Sequence, residues 1–199
     1  MIAIVDYGVG NLFSLSSSLK ALGLETEITR DASRLRAADR IILPGVGAFG
    51  DARAKLDDTG LVPVLLEEAR RKPLLGICLG MQLLFEKSFE YGEHEGLGLL
   101  KGQVVGMEGR IPGDLKIPHM GWNRLEVKSG RLLQNVDGQY VYFVHSFYAS
   151  GCEDSLAALT EYGIPITAAV EQGSIFGCQF HPEKSGNVGL SILRTFCAI

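Results

Sequence analysis

Two kinds of segment alternate through the first half of the chain. Short segments at 1–6, 24–29, 40–43 and 74–77 have the length of strands, and those at 1–6, 40–43 and 74–77 are mostly apolar, as buried strands are. Between them, apolar residues recur at helical spacing, first at Leu12, Leu15, Leu19 and Leu22, and again from 61 to 69. Alternation of strands with helices predicts a mostly parallel sheet that is covered by helices on both faces.

The second half of the chain has a different pattern, in which short apolar segments follow one another with only turns between them. The pattern predicts strands at 99–107, 124–127, 139–145, 155–161, 166–171 and 174–180, and a closing helix at 186–199. We therefore expect an α/β fold with a central mostly parallel or mixed sheet flanked by helices, and a smaller antiparallel portion in the C-terminal half. No linker or internal repeat interrupts the chain, so we expect a single domain, 1–199.

The apolar run at 74–77 leads into a stretch in which Gly76 and Gly80 lie two positions either side of Cys78. This is the Gly-x-nucleophile-x-Gly spacing of a nucleophile elbow, with cysteine in the place of serine. A sharp strand-to-helix turn brings backbone segments together, so a side chain at either glycine would clash. The N–H groups and the dipole at the start of the following helix would favour a thiolate at Cys78. The alternative is a buried apolar cysteine, which is common in protein cores.

Two glycine-rich loops follow other predicted strands. The loop Pro44–Gly47 can present backbone N–H groups as an oxyanion hole requires, although an ordinary glycine-rich loop is the alternative. The loop at 6–11 leads into the first helix, for which Asn11 is the expected N-cap. A dinucleotide-binding fingerprint needs a third glycine where Phe13 stands, so a tight turn is the favoured interpretation. Because the carboxyl ends of parallel strands meet at one edge of a sheet, both loops and Cys78 can lie together.

The last predicted strand ends in His181-Pro182-Glu183. His181 has the chemistry of a general base toward Cys78, and Glu183 can reach back and orient the imidazole. Pro182 restricts its own backbone and that of His181. Taken alone, this motif would be a surface histidine beside a turn proline. Its coincidence with a cysteine elbow and a glycine-rich loop favours a Cys-His-Glu triad.

Composition argues against several other classes of protein. No run approaches the ~20 apolar residues that a membrane span needs, and residues 1–6 lack the features of a signal peptide. A net charge of −4 and the lack of a basic stripe argue against nucleic-acid binding. The 4 cysteines and 4 histidines are scattered without Cys-x-x-Cys or His-x-x-x-His pairs. We therefore expect no metal site and a cytoplasmic protein with reduced thiols.

Three motifs together resemble those of the class I (triad) glutamine amidotransferases: Pro44–Gly47, Gly76–Gln82 and His181–Glu183. The resemblance spans almost the whole chain and implies the flavodoxin-like sheet of that family. Within the family, the stretches at 6–12, 117–123 and 142–146 are similar to those of the glutaminase subunits of imidazole glycerol phosphate synthases.

The resemblance implies a role for each matching residue. Cys78 attacks the side-chain amide of L-glutamine, His181 protonates the leaving ammonia and then activates water, and Glu183 holds His181. The oxyanion hole is formed by N–H groups of Leu79 and of the Val46–Gly47 segment. The positions that match glutamine-binding residues are Gln82, Glu90, Ser146 and Phe147. Glu90 is also open to the interpretation of a solvated glutamate at a helix end. The resemblance implies no cofactor.

The resemblance also implies a partner. In this family ammonia passes to a separate (βα)₈-barrel cyclase subunit within a heterodimer. That subunit makes imidazole glycerol phosphate and an aminoimidazole carboxamide ribonucleotide in histidine biosynthesis. The implied interface positions are Asn11, Trp122, Tyr142 and Lys184, with core packing as the alternative for Trp122. Glutamine hydrolysis in the family is weak until the partner binds its own ligand, and the Pro44–Gly47 loop is a candidate for that switch.

Three competing functions stay open from the sequence: a glutaminase of another pathway, a cysteine peptidase or thiol hydrolase on a similar sheet, and a non-catalytic binding module. The pocket residues Gln82 and Glu90 argue against a peptidase. The intact set of Cys78, His181 and Glu183 argues against a module without activity.

Overall fold

A computed structural model describes all residues, 1–199. The helices are α1 (Leu12–Ala21), α2 (Ala32–Ala37), α3 (Phe49–Asp58), α4 (Val62–Glu68), α5 (Leu79–Gln82) and α6 (Gly186–Ala198). The strands are β1 (Ile2–Val5), β2 (Thr26–Thr29), β3 (Arg40–Leu43), β4 (Leu74–Ile77), β5 (Lys87–Ser88), β6 (His94–Glu95), β7 (Gln103–Gly106), β8 (His119–Arg124), β9 (Glu126–Val127), β10 (Tyr140–His145), β11 (Phe147–Ser150), β12 (Leu156–Glu161), β13 (Pro165–Gln172) and β14 (Ile175–Cys178). None of these helices combines the length and apolar character needed to cross a membrane.

An eight-stranded sheet with the order β2-β1-β3-β4-β14-β13-β12-β9 forms the centre of the molecule. The strands from β2 to β14 in this order pair in parallel. The remaining three continue the sheet in antiparallel pairing. Every residue of β1, β4 and β14 is buried, as strands covered on both faces require. The mixed α/β sheet that the sequence predicts is therefore confirmed.

Alternate residues of the parallel strands face two separate apolar clusters. Ala3 and Val5 of β1 belong to a cluster that also holds buried residues of α2, α3 and α4. Ile2 and Ile4 belong to a second cluster, to which α1 and α6 contribute. Because successive side chains of a strand point to opposite faces, the helices cover both sides of the sheet.

Two smaller antiparallel units complete the fold. One is a four-stranded sheet with the order β11-β7-β5-β6, and the other pairs β10 with β8. The β8–β10 pair is fastened beside the end of β14, because the His181 N–H donates to the Tyr142 carbonyl at 2.9 Å. These units supply one wall of the site described below.

The predicted elements differ from the structure mainly in the middle of the chain. The strand expected at 99–107 covers only Gln103–Gly106, since Gly98 and Gly102 place turns with positive φ before it. The strand expected at 124–127 is two strands, β8 and β9, interrupted at Leu125. Helices α2 and α3 and the short strands β5, β6 and β11 were not predicted at all.

Candidate active site

Cys78 lies at a strained turn between β4 and α5. Its backbone has φ 55° and ψ −113°, a conformation that residues with side chains rarely adopt and that is typical of functional sites. A Cβ at Gly76 would lie 2.6 Å from the Gly80 carbonyl oxygen, and one at Gly80 would lie 1.8 Å from that of Leu43. The close backbone approach inferred from the Gly-x-Cys-x-Gly spacing is therefore confirmed.

Helix α5 is only one turn long, Leu79–Gln82. A helix dipole is the sum of aligned peptide units, so this helix offers the thiol the local N–H groups of one turn and little more. The helix dipole that was expected at Cys78 is therefore weak.

The sheet brings the two chemical motifs together although they are about a hundred residues apart in sequence. β14 pairs in parallel beside β4, with Cys178 opposite Ile77, so both strands end at the same edge. The Cys78 N–H donates to the Cys178 carbonyl at 2.7 Å. β3 lies on the other side of β4, which places the Pro44–Gly47 loop at the same edge. Cys78 and His181 consequently line one cavity.

The imidazole of His181 is held on one side and free on the other. Its Nδ1 lies 2.8 Å from Oε1 of Glu183, and both side chains are almost fully buried. Its Nε2 is buried and has no hydrogen-bond partner, so no hydrogen bond joins it to Sγ of Cys78. The sulfur instead contacts the Val144 carbonyl oxygen at 3.9 Å and the Gln179 side-chain amide at 3.8 Å. Nε2 is thus available to exchange a proton with a molecule in the cavity.

Opposing effects set the pKa of His181. Burial disfavours the charged ring, but interactions with Cys78 and with the Glu183 carboxylate outweigh it and raise the pKa to about 9. The imidazolium is therefore the stable form at neutral pH when the cysteine is a thiolate. A ring in that state can give a proton to a leaving group.

The cavity has a volume of about 310 Å³. It is lined by Cys78 and His181, by all three predicted oxyanion positions (Val46, Gly47 and Leu79), and by all four predicted glutamine-binding positions (Gln82, Glu90, Ser146 and Phe147). Glu183 lies behind His181 and does not line it. Four further lining residues were not predicted: Tyr91, Pro118, Val144 and His145.

The Pro44–Gly47 loop does not form an open oxyanion hole. Its Gly45 carbonyl oxygen lies where the substrate oxygen would bind. The N–H of Leu79 donates to the Gly45 carbonyl oxygen at 3.3 Å, so this N–H is not free to bind a substrate oxygen. The buried Tyr7 hydroxyl donates to the Pro44 carbonyl at 2.7 Å and fastens the start of the loop. Gly47 has φ 98°, which glycine adopts without strain.

Gln82 is buried one helical turn after Cys78, and its side chain is fully oriented. Its Nε2 donates to the Phe147 carbonyl oxygen and to Oε1 of Gln179, both at 3.0 Å. These two bonds use both N–H groups and leave its Oε1 as an acceptor. Ser146 and Phe147 also line the cavity, where β10 passes into β11.

Glu90 is buried at 8 % exposure and follows β5, so the interpretation of a solvated glutamate at a helix end is wrong. Its Oε2 accepts from the Phe49 N–H at 2.7 Å at the start of α3. Burial raises the pKa of Glu90, and the Phe49 N–H opposes that rise. The carboxyl group is thus fixed in the cavity wall with its Oε1 unpaired.

Three of the four predicted interface positions, Trp122, Tyr142 and Lys184, contact one another. Trp122 is 56 % exposed, which excludes core packing, and lies opposite Tyr142 in the β8–β10 pair. The two rings meet edge to face at 6.2 Å, and Nζ of Lys184 lies 5.9 Å from the Tyr142 ring centre. Asn11 caps α1 through Ser14 N–H, as expected, at 3.4 Å.

The chain is similar in sequence and fold to several known proteins. The profile of the family described as glutamine amidotransferase class-I matches residues 3–198. A protein of Caldanaerobacter subterraneus subsp. tengcongensis named imidazole glycerol phosphate synthase subunit HisH is 52 % identical, with 98 % of this chain and 97 % of that protein covered. A protein of the same name from Wolinella succinogenes is 49 % identical, with both chains fully covered. The solved structure of PurLQS from Thermotoga maritima has a TM-score of 0.77 at 22 % identity, covering 99 % of this chain and 97 % of that one, which shows a shared fold.

Proposed function

The chain belongs to the class I glutamine amidotransferases and, within them, to the HisH subunits of imidazole glycerol phosphate synthase, and we propose that it hydrolyses L-glutamine with a Cys-His-Glu triad and passes on the ammonia. The observation that carries the proposal is one cavity that holds Cys78, on a strained elbow, and His181, held by Glu183. We treat residues 1–199 as one glutamine amidotransferase domain, which the family match over 3–198 supports.

In the first half-reaction the thiolate of Cys78 attacks the side-chain amide carbon of glutamine. The C–N bond breaks, the imidazolium of His181 gives its Nε2 proton to the departing nitrogen, and ammonia leaves a glutamyl thioester. The free Nε2 of His181 supports this role, since it has no competing partner in the protein. In the second half-reaction His181 takes a proton from water, which attacks the thioester, and the thiol receives that proton as glutamate forms.

The cavity also supports recognition of the amino-acid end of glutamine. An ammonium group needs acceptors, and Oε1 of Glu90 and Oε1 of Gln82 are both unpaired. The half-buried Ser146 hydroxyl and the backbone at Phe147 also line the cavity and can donate to the carboxylate. This arrangement selects a zwitterionic amino acid over an extended peptide, which lacks free termini at the same place.

The conformation of the Pro44–Gly47 loop is a reason to expect low glutaminase activity in the isolated chain. An oxyanion hole needs N–H donors, but the Leu79 N–H is occupied by the Gly45 carbonyl oxygen. Rotation of the Gly45–Val46 peptide would withdraw this carbonyl and present the Val46 N–H instead. Loss of one oxyanion donor typically costs ~10²–10³ in rate, so the resting loop accounts for weak hydrolysis.

We further propose that ammonia passes to a (βα)₈-barrel cyclase subunit in a cytoplasmic heterodimer, for histidine biosynthesis. The exposed cluster of Trp122, Tyr142 and Lys184 supports docking at the carboxyl edge of the sheet, since aromatic residues with polar tips suit protein interfaces. The cluster adjoins the site directly, because the Tyr142 carbonyl accepts from the His181 N–H. A partner seated there would cover the cavity edge from which ammonia leaves.

The test measures glutamate release and cyclase product formation in the paired enzyme. Cys78→Ala should abolish glutamine-dependent synthesis but leave synthesis from added ammonia intact. Cys197→Ala, in α6 and outside the cavity, is the matched control and should retain both activities. If Cys78→Ala removed ammonia-dependent synthesis as well, or retained glutaminase activity, the proposed division of labour would be wrong.

A further inference from the structure

One continuous series of hydrogen bonds links the catalytic cysteine, through side chains that are buried as far as His119, to the half-buried Asn123 of β8. The Phe147 carbonyl oxygen is its midpoint. It accepts from Nδ1 of His145 at 2.8 Å and from Nε2 of Gln82 at 3.0 Å. Because a carbonyl oxygen can only accept, the direction of every other bond in the series follows from this point.

On one side of the carbonyl, the direction fixes two histidine tautomers. His145 carries its proton on Nδ1, so its Nε2 accepts from Nδ1 of His119 at 3.0 Å. The Nε2 of His119 then accepts from Nδ2 of Asn123 at 3.2 Å, whose other N–H donates to the Glu161 carbonyl at 2.8 Å. Both rings must be neutral for this pattern. Burial indeed lowers the pKa of His119 to about 4 and that of His145 to about 3.

On the other side, the direction fixes two side-chain amides. Gln82 must turn its Nε2 toward the Phe147 carbonyl, and its second N–H donates to Gln179 at 3.0 Å. The Gln179 atom that receives this bond must be Oε1. Its Nε2 is therefore the atom that faces Sγ of Cys78, at 3.8 Å. Gln179 is fully buried, so water cannot exchange with this contact.

The sulfur consequently lies between one acceptor and one donor. The Val144 carbonyl, 3.9 Å away, can accept a hydrogen bond from the protonated thiol. The Gln179 amide nitrogen can donate to the sulfur but cannot accept from it, and a donor at this place favours the thiolate.

We propose that Gln179 is a further catalytic residue, a fixed N–H donor to the Cys78 thiolate whose orientation is set by the buried series from Asn123 to Gln82. This inference rests on the proposed function for its purpose but not for its geometry. Gln179 touches the nucleophile itself, whereas His145 and His119 are positioning residues that act through the Phe147 carbonyl.

The experiment titrates Cys78 in the full chain by its rate of alkylation with iodoacetamide, followed by mass spectrometry of the Cys78 peptide from pH 6 to 9.5. Gln179→Met keeps the length of the side chain but has no N–H donor. Gln179→Glu keeps the shape and the acceptor for Gln82 but replaces the donor by an oxygen. Gln172→Glu, on the exposed end of β13, is the matched control.

We expect alkylation of Cys78 at pH 7 to fall about tenfold or more in both Gln179 variants, and the midpoint of the pH profile to rise by about one unit. The control should follow the parent protein. If Gln179→Met does not fold, an unchanged rate in Gln179→Glu still overturns the proposal; because a carboxylate there also repels the thiolate, its rate should fall further than that of Gln179→Met. Profiles of the Gln179 variants that coincide with the parent would overturn the proposal.

The alkylation assay uses neither glutamine nor a cyclase, so its result is separate from the test of the proposed function. Coincident profiles would remove the role of Gln179 and leave the glutaminase untouched. Conversely, glutaminase activity that survived Cys78→Ala would refute the proposed function without changing the alkylation result.

Discussion

Acidification from pH 7 to pH 5 should weaken the fold through the two buried histidines. His119 and His145 are 3 % and 6 % exposed, and burial lowers the pKa of the first to about 4 and of the second to about 3. In the unfolded chain a histidine has a pKa of ~6.5. Below that value the unfolded state binds protons that the folded state does not, so stability is present above pH 6.5 and is lost as the pH falls.

The size of this loss follows from the two pKa values. At pH 5 an unfolded histidine is almost fully protonated, while both folded rings stay neutral, which favours unfolding by ~2 kcal/mol for each ring. His181, whose pKa is raised to about 9, changes the balance in the other direction and offsets about 1 kcal/mol. A net loss of about 3 kcal/mol is a large part of the 5–15 kcal/mol by which a domain of this kind is stable.

The assay is urea unfolding of the whole chain at pH 7 and pH 5, followed by circular dichroism. His119→Phe retains the ring stack with Tyr162 and Phe143 but cannot be protonated, so it should reduce the difference between the two pH values by ~2 kcal/mol. Val141→Ala, in the core side of β10, is a control that should destabilise the protein equally at both pH values. Equal free energies of unfolding at pH 7 and pH 5 in the parent protein would refute the reasoning, as would an unchanged difference in His119→Phe.

Two further predictions concern the site. Glu183→Gln removes the charge that stabilises the His181 imidazolium, so the alkaline limb of the glutaminase pH profile should move down by about one unit or more. The measurement is kcat against pH in the paired enzyme, and an unmoved limb would contradict the assignment. Gly80→Ala places a Cβ 1.8 Å from the Leu43 carbonyl oxygen. It should lower the free energy of unfolding, measured by urea denaturation, by about 1–3 kcal/mol or more. Gly113→Ala meets no atom within 4 Å and should be neutral; equal stability of these two alanine variants would show that the elbow is not tightly packed.

The parts of the fold and site that could be predicted are those in which local sequence carries the whole signal. The strand at Arg40–Leu43 contains three consecutive apolar residues after Arg40, and the structure has the same bounds. Two glycines mark the elbow at Cys78 in the sequence. The backbone packs so closely there that neither position has room for a Cβ. Helix α3 also carried a signal that could have found it, since Phe49, Ala52 and Leu56 recur at helical spacing and are buried.

Other features depended on strand register, which a single sequence does not contain. The apolar pattern predicts a strand ending at His145, but not that β8 pairs with it so that His119 lies directly opposite. The burial of Glu90 against the Phe49 N–H joins the start of α3 to a loop that is 41 residues further along the chain. Gln179 lies two residues before a recognisable histidine, yet its contact with Cys78 exists only because β14 pairs with β4.

The two halves of the site differ in how firmly they are held, and this difference decides which half can act as a switch. The nucleophile is fixed, since Gly80 packs against the Leu43 carbonyl with no room for a single carbon atom. The Pro44–Gly47 loop is held by one side-chain hydrogen bond, from Tyr7, and by the bond between Leu79 N–H and the Gly45 carbonyl. Val46, at the centre of this loop, is 39 % exposed. Rotation of the Gly45–Val46 peptide breaks only the Leu79–Gly45 hydrogen bond and leaves that of Tyr7 intact, whereas movement of the cysteine would disrupt the sheet, so the proposed activation would act on the loop.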